Sequence, residues 1–242
     1  MKDFFKYLSV GEEDRDWGLY LTVAGRARIE AGVGYPNIEH PAGYYFSWAS
    51  GRRVQEYQLN YITEGQGMLE NDFGRFAIRP GTLMITRPNV WHRYRPDPAH
   101  GWVENYIGIG GSLIADFLQK SIFASQQTVI HCGMHEELLD CYAGIFDLVD
   151  REQPGYQQVA AGRVLQLLGL LVAFAKRRNF VGKPIEKIIQ KIKLQMHEQV
   201  ERPLDLQHLA EAHHIAYAYL RKQFKRYTGM SPHQHFQIEK IL

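Results

Sequence analysis

The chain has 242 residues, of which 45% are hydrophobic and 22% are charged. This globular composition excludes a largely disordered chain, and the length exceeds the ~100 to 200 residues typical of one domain. Two cysteines are too few for a disulfide framework and fit a reducing compartment. Neither a signal core nor an apolar run of ~18 residues is found, so we expect a cytoplasmic protein without a membrane partner.

Charge is divided unequally along the chain. Residues 176–242 hold 13 Lys and Arg against 6 Asp and Glu, whereas residues 1–175 hold 15 against 20. The formal net charge of +2 therefore conceals a basic C-terminal segment and an acidic remainder. Because neutralised phosphates supply most non-specific affinity for DNA, only the basic segment is expected to face a polyanion.

Short aromatic and β-branched runs alternate with turn residues from Gly43 to about Gly110. This pattern is typical of antiparallel strands, and their regular spacing favours a small barrel or sandwich. We predict strands at residues 57–62, 68–70, 76–78, 83–85 and 102–109. In the last of these strands, Trp102, Glu104 and Tyr106 share one face.

After Gly111 the apolar residues recur at helical spacing, in three stripes that end near Ala175. The third stripe is apolar around most of its circumference, so it packs either in the domain core alone or also at a subunit interface. Charge, Gly and Pro between Lys176 and Pro184 end this helix. We predict a first domain at residues 1–178, a linker at 179–184 and a helical domain at 185–242.

Two short amphipathic helices follow, one from Leu206 to Ala212 and one from Tyr217 onward, joined by a few residues. This is the pattern of a helix-turn-helix, which places its second helix in a groove of double-stranded DNA. The second helix has a cationic flank suited to phosphates and an N-terminal turn suited to base edges. The predicted DNA-binding residues are Tyr217, Ala218, Tyr219, Arg221, Lys222, Lys225 and Arg226.

Leu209-Ala210 and the run from Tyr219 to Phe236, with its Phe-Lys, Thr-Gly and Ser-Pro pairs, resemble the first helix-turn-helix of AraC-type transcription regulators. Residues 57–67, 79–81 and 88–94 are similar to the cupin-type effector domain of sugar-responsive members. The resemblance implies an α+β chain, with an N-terminal cupin-like β-barrel and following helices, then an all-α helix-turn-helix domain. It implies a homodimeric, ligand-responsive, sequence-specific DNA-binding regulator without enzymatic activity or a cofactor.

Two departures from the family pattern affect DNA binding. Family members have two helix-turn-helix units joined by a long helix, whereas this sequence stops at Leu242, within the expected connecting helix. We therefore expect an incomplete DNA-binding domain, containing the first half only, with weak DNA affinity. His214 stands where a small turn residue is usual and Ala216 where a Ser or Thr cap is usual, a loss on the order of 1 kcal/mol.

The barrel is expected to bind a small polar effector, and a sugar is the first expectation. The aromatic planes and the carboxylate on the strand at 102–109 suit the C–H surfaces and hydroxyls of a sugar, although core packing explains the aromatic residues equally well. The family pattern adds four positions from other segments. The predicted effector-binding residues are Trp48, Arg52, His92, Tyr94, Trp102, Glu104 and Tyr106.

Many cupins hold a catalytic metal with three His and one Glu, and His92 occupies the position of the last ligand. Residues 57–70 contain no histidine, so the preceding His pair is missing and we predict no metal site. Two alternatives to a regulator remain open. One is a metal-dependent cupin enzyme with a basic tail, and the other is a ligand-binding, dimerising fragment that does not bind DNA.

Overall fold

Two antiparallel β-sheets and a series of helices form the computed structural model, which describes residues 3–36, 44–119, 123, 128–201 and 204–241. The strands are β1 Phe4–Tyr7, β2 Tyr20–Ile29, β3 Tyr57–Gly65, β4 Gly67–Asn71, β5 Gly74–Ile78, β6 Thr82–Thr86, β7 His92–Pro96, β8 Trp102–Gly110 and β9 Val129–His131. The helices are α1 Glu12–Asp16, α2 Ser112–Leu118, α3 Glu136–Arg151, α4 Tyr156–Arg177, α5 Pro184–Glu198, α6 Leu206–Ala212, α7 Tyr217–Thr228 and α8 Pro232–Glu239.

The larger sheet has the strand order β1-β2-β8-β3-β6-β9, and the smaller sheet has the order β5-β4-β7. The strands predicted from residue 57 onward are present, with slightly different ends. The sequence analysis missed β1 and β2, which precede residue 43. Strand β2 is ten residues long and pairs with both β1 and β8, so it belongs to the interior of the larger sheet.

Side-chain alternation directs one face of each sheet toward a shared core. In β7, His92 and Tyr94 are buried, whereas Arg93 and Arg95, which alternate with them, are only partly buried. One buried cluster joins residues of both sheets, namely Phe46, Ile62, Leu69, Ile78, Met84, Tyr94, Trp102 and Val129. The two sheets therefore enclose a common interior, as expected for a cupin-like barrel.

Helix α3 covers the outer face of the larger sheet. The Tyr142 ring stacks on Tyr61 with 6.1 Å between ring centroids, and the Tyr142 hydroxyl donates to the Leu59 carbonyl at 3.0 Å. Both tyrosines are almost fully buried. Strand β6, which pairs with β3 in the same sheet, is buried at every position, and its three central residues are apolar.

Helix α4 is long and apolar enough to cross a membrane by length and composition alone, a weak indication because core helices meet the same criterion. One side of the helix is buried, through Ala160, Val164, Leu167 and Leu171. The other side exposes apolar residues, including Val159. The helix therefore has a core face and a solvent-exposed face on which apolar residues and glycines lie beside Arg163 and Gln166.

The chain divides into two compact units, Met1–Leu171 and Val172–Leu242. This division falls within α4, before the linker predicted at 179–184, and that boundary stays a prediction. Phe180 in the predicted linker is buried in the core of the second unit. The other buried residues of this core are Ile185, Ile189, Ile192, Met196, Leu206, Leu209, Ala210, Leu220, Phe224 and Phe236.

Helices α6 and α7 begin with different caps. The Asp205 carboxylate accepts hydrogen bonds from the backbone N–H groups of Gln207 and His208 at 2.9 and 3.1 Å. At the start of α7, Ala216 offers no side-chain cap. In the turn before it, His214 has a φ of 55°, in the left-handed region that favours glycine. The turn therefore has both weaknesses that the sequence suggests.

Restoring the missing cap should stabilise α7. We expect Ala216→Ser to stabilise the second unit by about 1 kcal/mol, because a serine hydroxyl can accept from a free N–H of the first turn. The matched change Asp205→Ala should destabilise it by about 1 kcal/mol. Native-state hydrogen exchange of the Leu220 and Phe224 amides measures both effects. We expect roughly fivefold slower exchange in Ala216→Ser and roughly fivefold faster exchange in Asp205→Ala. Unchanged exchange in Ala216→Ser would show that the cap does not limit the stability of α7.

Candidate functional site

A polar cavity of about 30 Å³ lies in the first unit, at one end of the space between the sheets. By volume it has room for about two water molecules. Five tyrosines, one arginine and one glutamate dominate its wall. The lining residues are Tyr7, Val23, Tyr35, Pro36, Tyr44, Phe46, Arg52, Gln58, Tyr94, Glu104 and Tyr106.

Backbone hydrogen bonds fix Arg52 at the edge of this cavity. Its N–H donates to the His92 carbonyl at 2.9 Å, and the His92 N–H donates to the Arg52 carbonyl at 3.0 Å. The preceding Gly51 has a φ of 62° and lies against the Trp91 ring, which would be 2.6 Å from an added Cβ. Only glycine satisfies both constraints, so Gly51 is needed to bring Arg52 to β7.

The guanidinium of Arg52 binds four neutral groups. Its Nε donates to His92 Nε2 at 3.2 Å, and one Nη1 hydrogen bonds to the Tyr44 carbonyl. Its Nη2 donates to Gln58 Oε1 at 3.2 Å and to the Tyr94 hydroxyl at 2.9 Å. The Phe46 ring lies 4.9 Å from the guanidinium carbon, so a cation–π contact also holds the group in place.

His92 acts as a neutral acceptor for Arg52. Burial, and then the charge of Arg52, lower the pKa of His92 from 6.5 to about 4. Because Nε2 accepts from Arg52, the proton is assigned to Nδ1, which lies 3.1 Å from the Val90 carbonyl. Both ring nitrogens are therefore occupied by protein groups.

Glu104 is the buried carboxyl group of the cavity. Burial raises its pKa from 4.5 to about 7, and hydrogen bonds and charge from Tyr35, Arg52 and Asn60 oppose this shift. The Tyr35 hydroxyl donates to the two carboxylate oxygens at 3.2 and 3.4 Å. Asn60, which is 2% exposed, has no partner for its Oδ1 in the part of the chain that the structure describes. Polar hydrogen-bonding capacity is therefore left over beside Glu104.

The predicted effector-binding residues occupy four different places. Arg52, Tyr94, Glu104 and Tyr106 line the cavity, and His92 lies behind Arg52. Trp102 is 2% exposed and packs in the core against Tyr35 and Tyr94.

Trp48 does not line the cavity and instead packs against two arginines of β7. Its ring lies 4.5 Å from the guanidinium carbon of Arg93 and 3.9 Å from that of Arg95. The sequence analysis missed several cavity residues, which come from segments that it left unassigned or from the inner face of β3. These are Tyr7, Tyr35, Tyr44, Phe46 and Gln58.

Among the residues within the described ranges, no group of three or more His, Cys, Asp or Glu is arranged to hold a metal ion. The cavity can instead bind a small polar molecule through one guanidinium, one carboxyl group and several hydroxyls.

A second candidate surface is the exposed flank of α7. Arg221, Lys222, Lys225 and Arg226 are all exposed, and none of them makes an ion pair within the described part of the chain. At the N-terminal end Ala218 and Tyr219 are exposed, whereas Tyr217 packs partly against the core of the second unit. The helix thus presents an uncompensated positive surface.

The buried carboxyl group should make stability depend on pH. Between pH 4.5 and about 7 the unfolded chain ionises Glu104 while the folded chain keeps its proton, so stability falls as pH rises through this window. The shift corresponds to a loss on the order of 3 kcal/mol above pH 7. We expect Glu104→Gln to remove this loss, so that its advantage over the wild type in urea unfolding grows from pH 5 to pH 8. The exposed control Glu30→Gln should show no such trend, and an equal trend in both variants would contradict the assignment.

The sequence of this chain is similar to that of known regulatory proteins. A family model described as the AraC-like ligand binding domain matches residues 36–168. The MmsAB operon regulatory protein of Pseudomonas aeruginosa is 26% identical over 200 residues, which cover 79% of this chain and 62% of that protein. The match therefore spans less than two thirds of that relative's length.

Two solved structures resemble the chain distantly. ToxT from Vibrio cholerae, with bound unsaturated fatty acid, is 11% identical with a TM-score of 0.35 and covers 79% of this chain and 73% of its own. A cupin 2 conserved barrel domain protein from Salinispora arenicola is 14% identical with a TM-score of 0.28 and covers 47% of this chain and 80% of its own.

The family model covers more than half of the chain, and it includes most of the strands and most of the cavity wall. The chain therefore belongs to the AraC family of regulators, and its β-rich part is an AraC-like ligand-binding domain.

Proposed function

We propose that the chain is a cytoplasmic, effector-responsive transcription regulator that binds double-stranded DNA in a sequence-specific manner. In this proposal the cavity binds a small polar effector, and residues 185–242 form a helix-turn-helix domain that binds DNA through α7. The observation that carries the proposal is the exposed, unpaired cationic flank of α7. A relative that is named as a regulatory protein favours this function over a metal-dependent enzyme.

The packing of α7 supports a rigid DNA-contacting surface. Leu220 and Phe224 are fully buried on one side of the helix, while Arg221 and Lys225 are exposed on the other. Rigid presentation reduces the conformational entropy that binding would cost. The positive charges lack carboxylate partners in the fold, so DNA phosphates can neutralise them with release of counterions.

The N-terminal turn of α7 is the part proposed to meet base edges. Ala218 and Tyr219 are accessible there, and Tyr219 is 46% exposed. Tyr217 packs against the core, so we assign it to positioning the turn as well as to contact with DNA. Arg221, Lys222, Lys225 and Arg226 are assigned to phosphates, because positively charged helix flanks more often position a protein on DNA than select its sequence.

Removing two of these charges should weaken DNA binding in a salt-dependent way. We plot the logarithm of the DNA association constant against the logarithm of salt concentration. We expect this negative slope to become less steep by about 1.8 in Arg221→Ala plus Lys225→Ala, because each lost phosphate contact contributes about 0.9. Fluorescence anisotropy with a labelled 30-base-pair duplex, titrated between 50 and 200 mM salt, measures the slope.

Lys187→Ala plus Lys191→Ala is the matched control, because these exposed lysines of α5 carry the same charge. The control pair should leave the slope unchanged. If both pairs change it equally, only net charge is involved and α7 does not have the proposed role. If neither the wild type nor the variants bind DNA, the chain is a ligand-binding fragment instead.

Helix α4 supports the proposal of a homodimer. Val159 and Leu165 are 56% and 38% exposed, at the two edges of a face that contains Gly162 and Gly169. Apart from the backbone of α4 itself, no described residue comes within 4 Å of the position that a Cβ would take on either glycine. A second helix can therefore approach this face closely and cover its apolar residues.

Charges on this face should prevent dimer formation. We expect the wild type to sediment at twice the 28.0 kDa chain mass and Val159→Lys plus Leu165→Lys to sediment as a monomer. Val33→Lys plus Val181→Lys changes two other exposed valines and serves as the charge-matched control. Sedimentation velocity distinguishes these masses. Dimerisation that persists in the α4 variant places the interface elsewhere.

A further inference from the structure

Arg52 brings a positive charge to the cavity, where it lowers the pKa of Glu104, but no carboxylate among the described residues forms an ion pair with it. Its side-chain hydrogen bonds go to an imidazole nitrogen, a backbone carbonyl, an amide oxygen and a hydroxyl, all of which are neutral. They use four of its five N–H donors, and the fifth, on Nη1, has no acceptor among the residues that the structure describes. Within the part of the chain that the structure describes, no ion pair includes Arg52. A partly buried, unbalanced guanidinium is costly unless an anion completes it.

The two nearest carboxyl groups are engaged elsewhere. Glu56 accepts hydrogen bonds from Thr22, from the Tyr44 hydroxyl at 3.1 Å and from Gln58 Nε2 at 2.9 Å. Glu104 accepts from the Tyr35 hydroxyl. The Gln58 amide thus separates Glu56 from Arg52, and the fold keeps both carboxyl groups out of direct contact with the guanidinium.

We propose that the effector is a small monocarboxylate whose carboxylate pairs with Arg52 and whose other end offers a hydroxyl to Glu104. This inference rests on the proposed function, in which the cavity is the effector site. It replaces the neutral sugar expected from the sequence by an anion of a few heavy atoms.

The guanidinium is well placed for a carboxylate. The ring centroids of Phe46 and Tyr94 lie 4.9 and 5.6 Å from the guanidinium carbon, and these two contacts fix the plane of the guanidinium. A planar donor group in a fixed orientation matches the two oxygens of a carboxylate, which can use the remaining Nη1 hydrogen and displace the Gln58 oxygen at 3.2 Å. A neutral sugar would leave the charge of Arg52 unbalanced.

The remaining cavity wall favours a hydroxyl over a second carboxylate. Glu104 lines the cavity and its carboxylate oxygens accept hydrogen bonds, so it suits a donor. A second carboxylate would instead meet Glu104, whose raised pKa of about 7 already reflects the cost of negative charge there. The volume of about 30 Å³ excludes a long or branched molecule, and 3-hydroxypropionate fits only if the Gln58 side chain moves aside when its oxygen is displaced.

Three probes of the same carbon number test this inference: 3-hydroxypropionate, its amide 3-hydroxypropionamide, and malonate. Thermal shift at constant ionic strength should show stabilisation of the wild-type protein by 3-hydroxypropionate, because a ligand that binds the native state raises its stability. Calorimetry should give at least tenfold weaker binding for the amide, which lacks the anion, and for malonate, which has two. The comparison uses the unmodified protein, so it does not depend on the folding of a variant.

Arg52→Gln provides the second arm, with Arg53→Gln as the control at an exposed neighbouring arginine. We expect at least tenfold weaker binding of 3-hydroxypropionate by Arg52→Gln and unchanged binding by Arg53→Gln. Equal stabilisation of Arg52→Gln and wild type would show that the acid binds elsewhere and overturn the inference. Amide binding as tight as acid binding would overturn it as well.

Arabinose and xylose separate this inference from the proposed function. If these sugars bind and 3-hydroxypropionate does not, the effector is neutral and only the inference fails. If no probe binds, the inference is overturned, and the DNA titration with the α7 variants decides the proposed function independently.

Discussion

The paired backbone hydrogen bonds between Arg52 and His92 are the constraint on which the candidate effector site depends. They attach a segment outside the sheets to the first residue of β7, and they bring the guanidinium to the same cavity as Tyr94. Gly51 makes this approach possible, because any side chain there would collide with Trp91. Burial then keeps His92 neutral, so that it accepts from Arg52 and does not repel it. Without this pairing, the cavity would lose its only described cation in contact with Tyr94.

The cavity concentrates groups that reduce the stability of the fold. A guanidinium without an ion pair among the described residues and a carboxyl group with a raised pKa occupy space that apolar side chains would fill at lower cost. Such local costs are expected where a protein binds a ligand, because the ligand supplies the missing partners. The surrounding aromatic core of Phe46, Tyr94 and Trp102 provides the apolar burial that offsets them.

The sequence predicted β3, β4, β5, β6 and β8 and the helices after Gly111, because these elements have strong periodicity and clear turn residues. It did not predict β7 or β9. It also identified Arg52, Tyr94, Glu104 and Tyr106 as members of one site, and these residues do line one cavity. Whether they bind an effector stays a prediction. Alternation also placed Trp102 on the inner face of β8, but it could not show that this ring lies in the closed core, since alternation gives the face and not the depth.

The residues that the sequence analysis missed depend on long-range pairing. Tyr7 reaches the cavity because β1 pairs with β2, and β2 pairs with β8, across nearly the whole first unit. Tyr35 and Tyr44 come from irregular segments whose path no periodicity reveals, and each is fixed by a distant carboxyl group, Glu104 or Glu56. Gln58 lies on a recognised strand, but its role follows from the contact with Arg52 and not from its residue type.

The second unit and the barrel differ in where their charged side chains lie. In the barrel, the charged groups of Arg52 and Glu104 face an internal cavity, whereas in α7 the buried side is apolar and the charged side faces solvent. The weak turn before α7, with His214 in the left-handed region and Ala216 without a capping hydroxyl, is the least stabilised part of this arrangement. Since Leu220 and Phe224 lie one and two turns into the helix, the core holds the cationic flank firmly while the N-terminal turn remains freer to adjust. Phosphate contacts would then use the rigid part of α7, and base contacts would use the part that can adapt to a sequence.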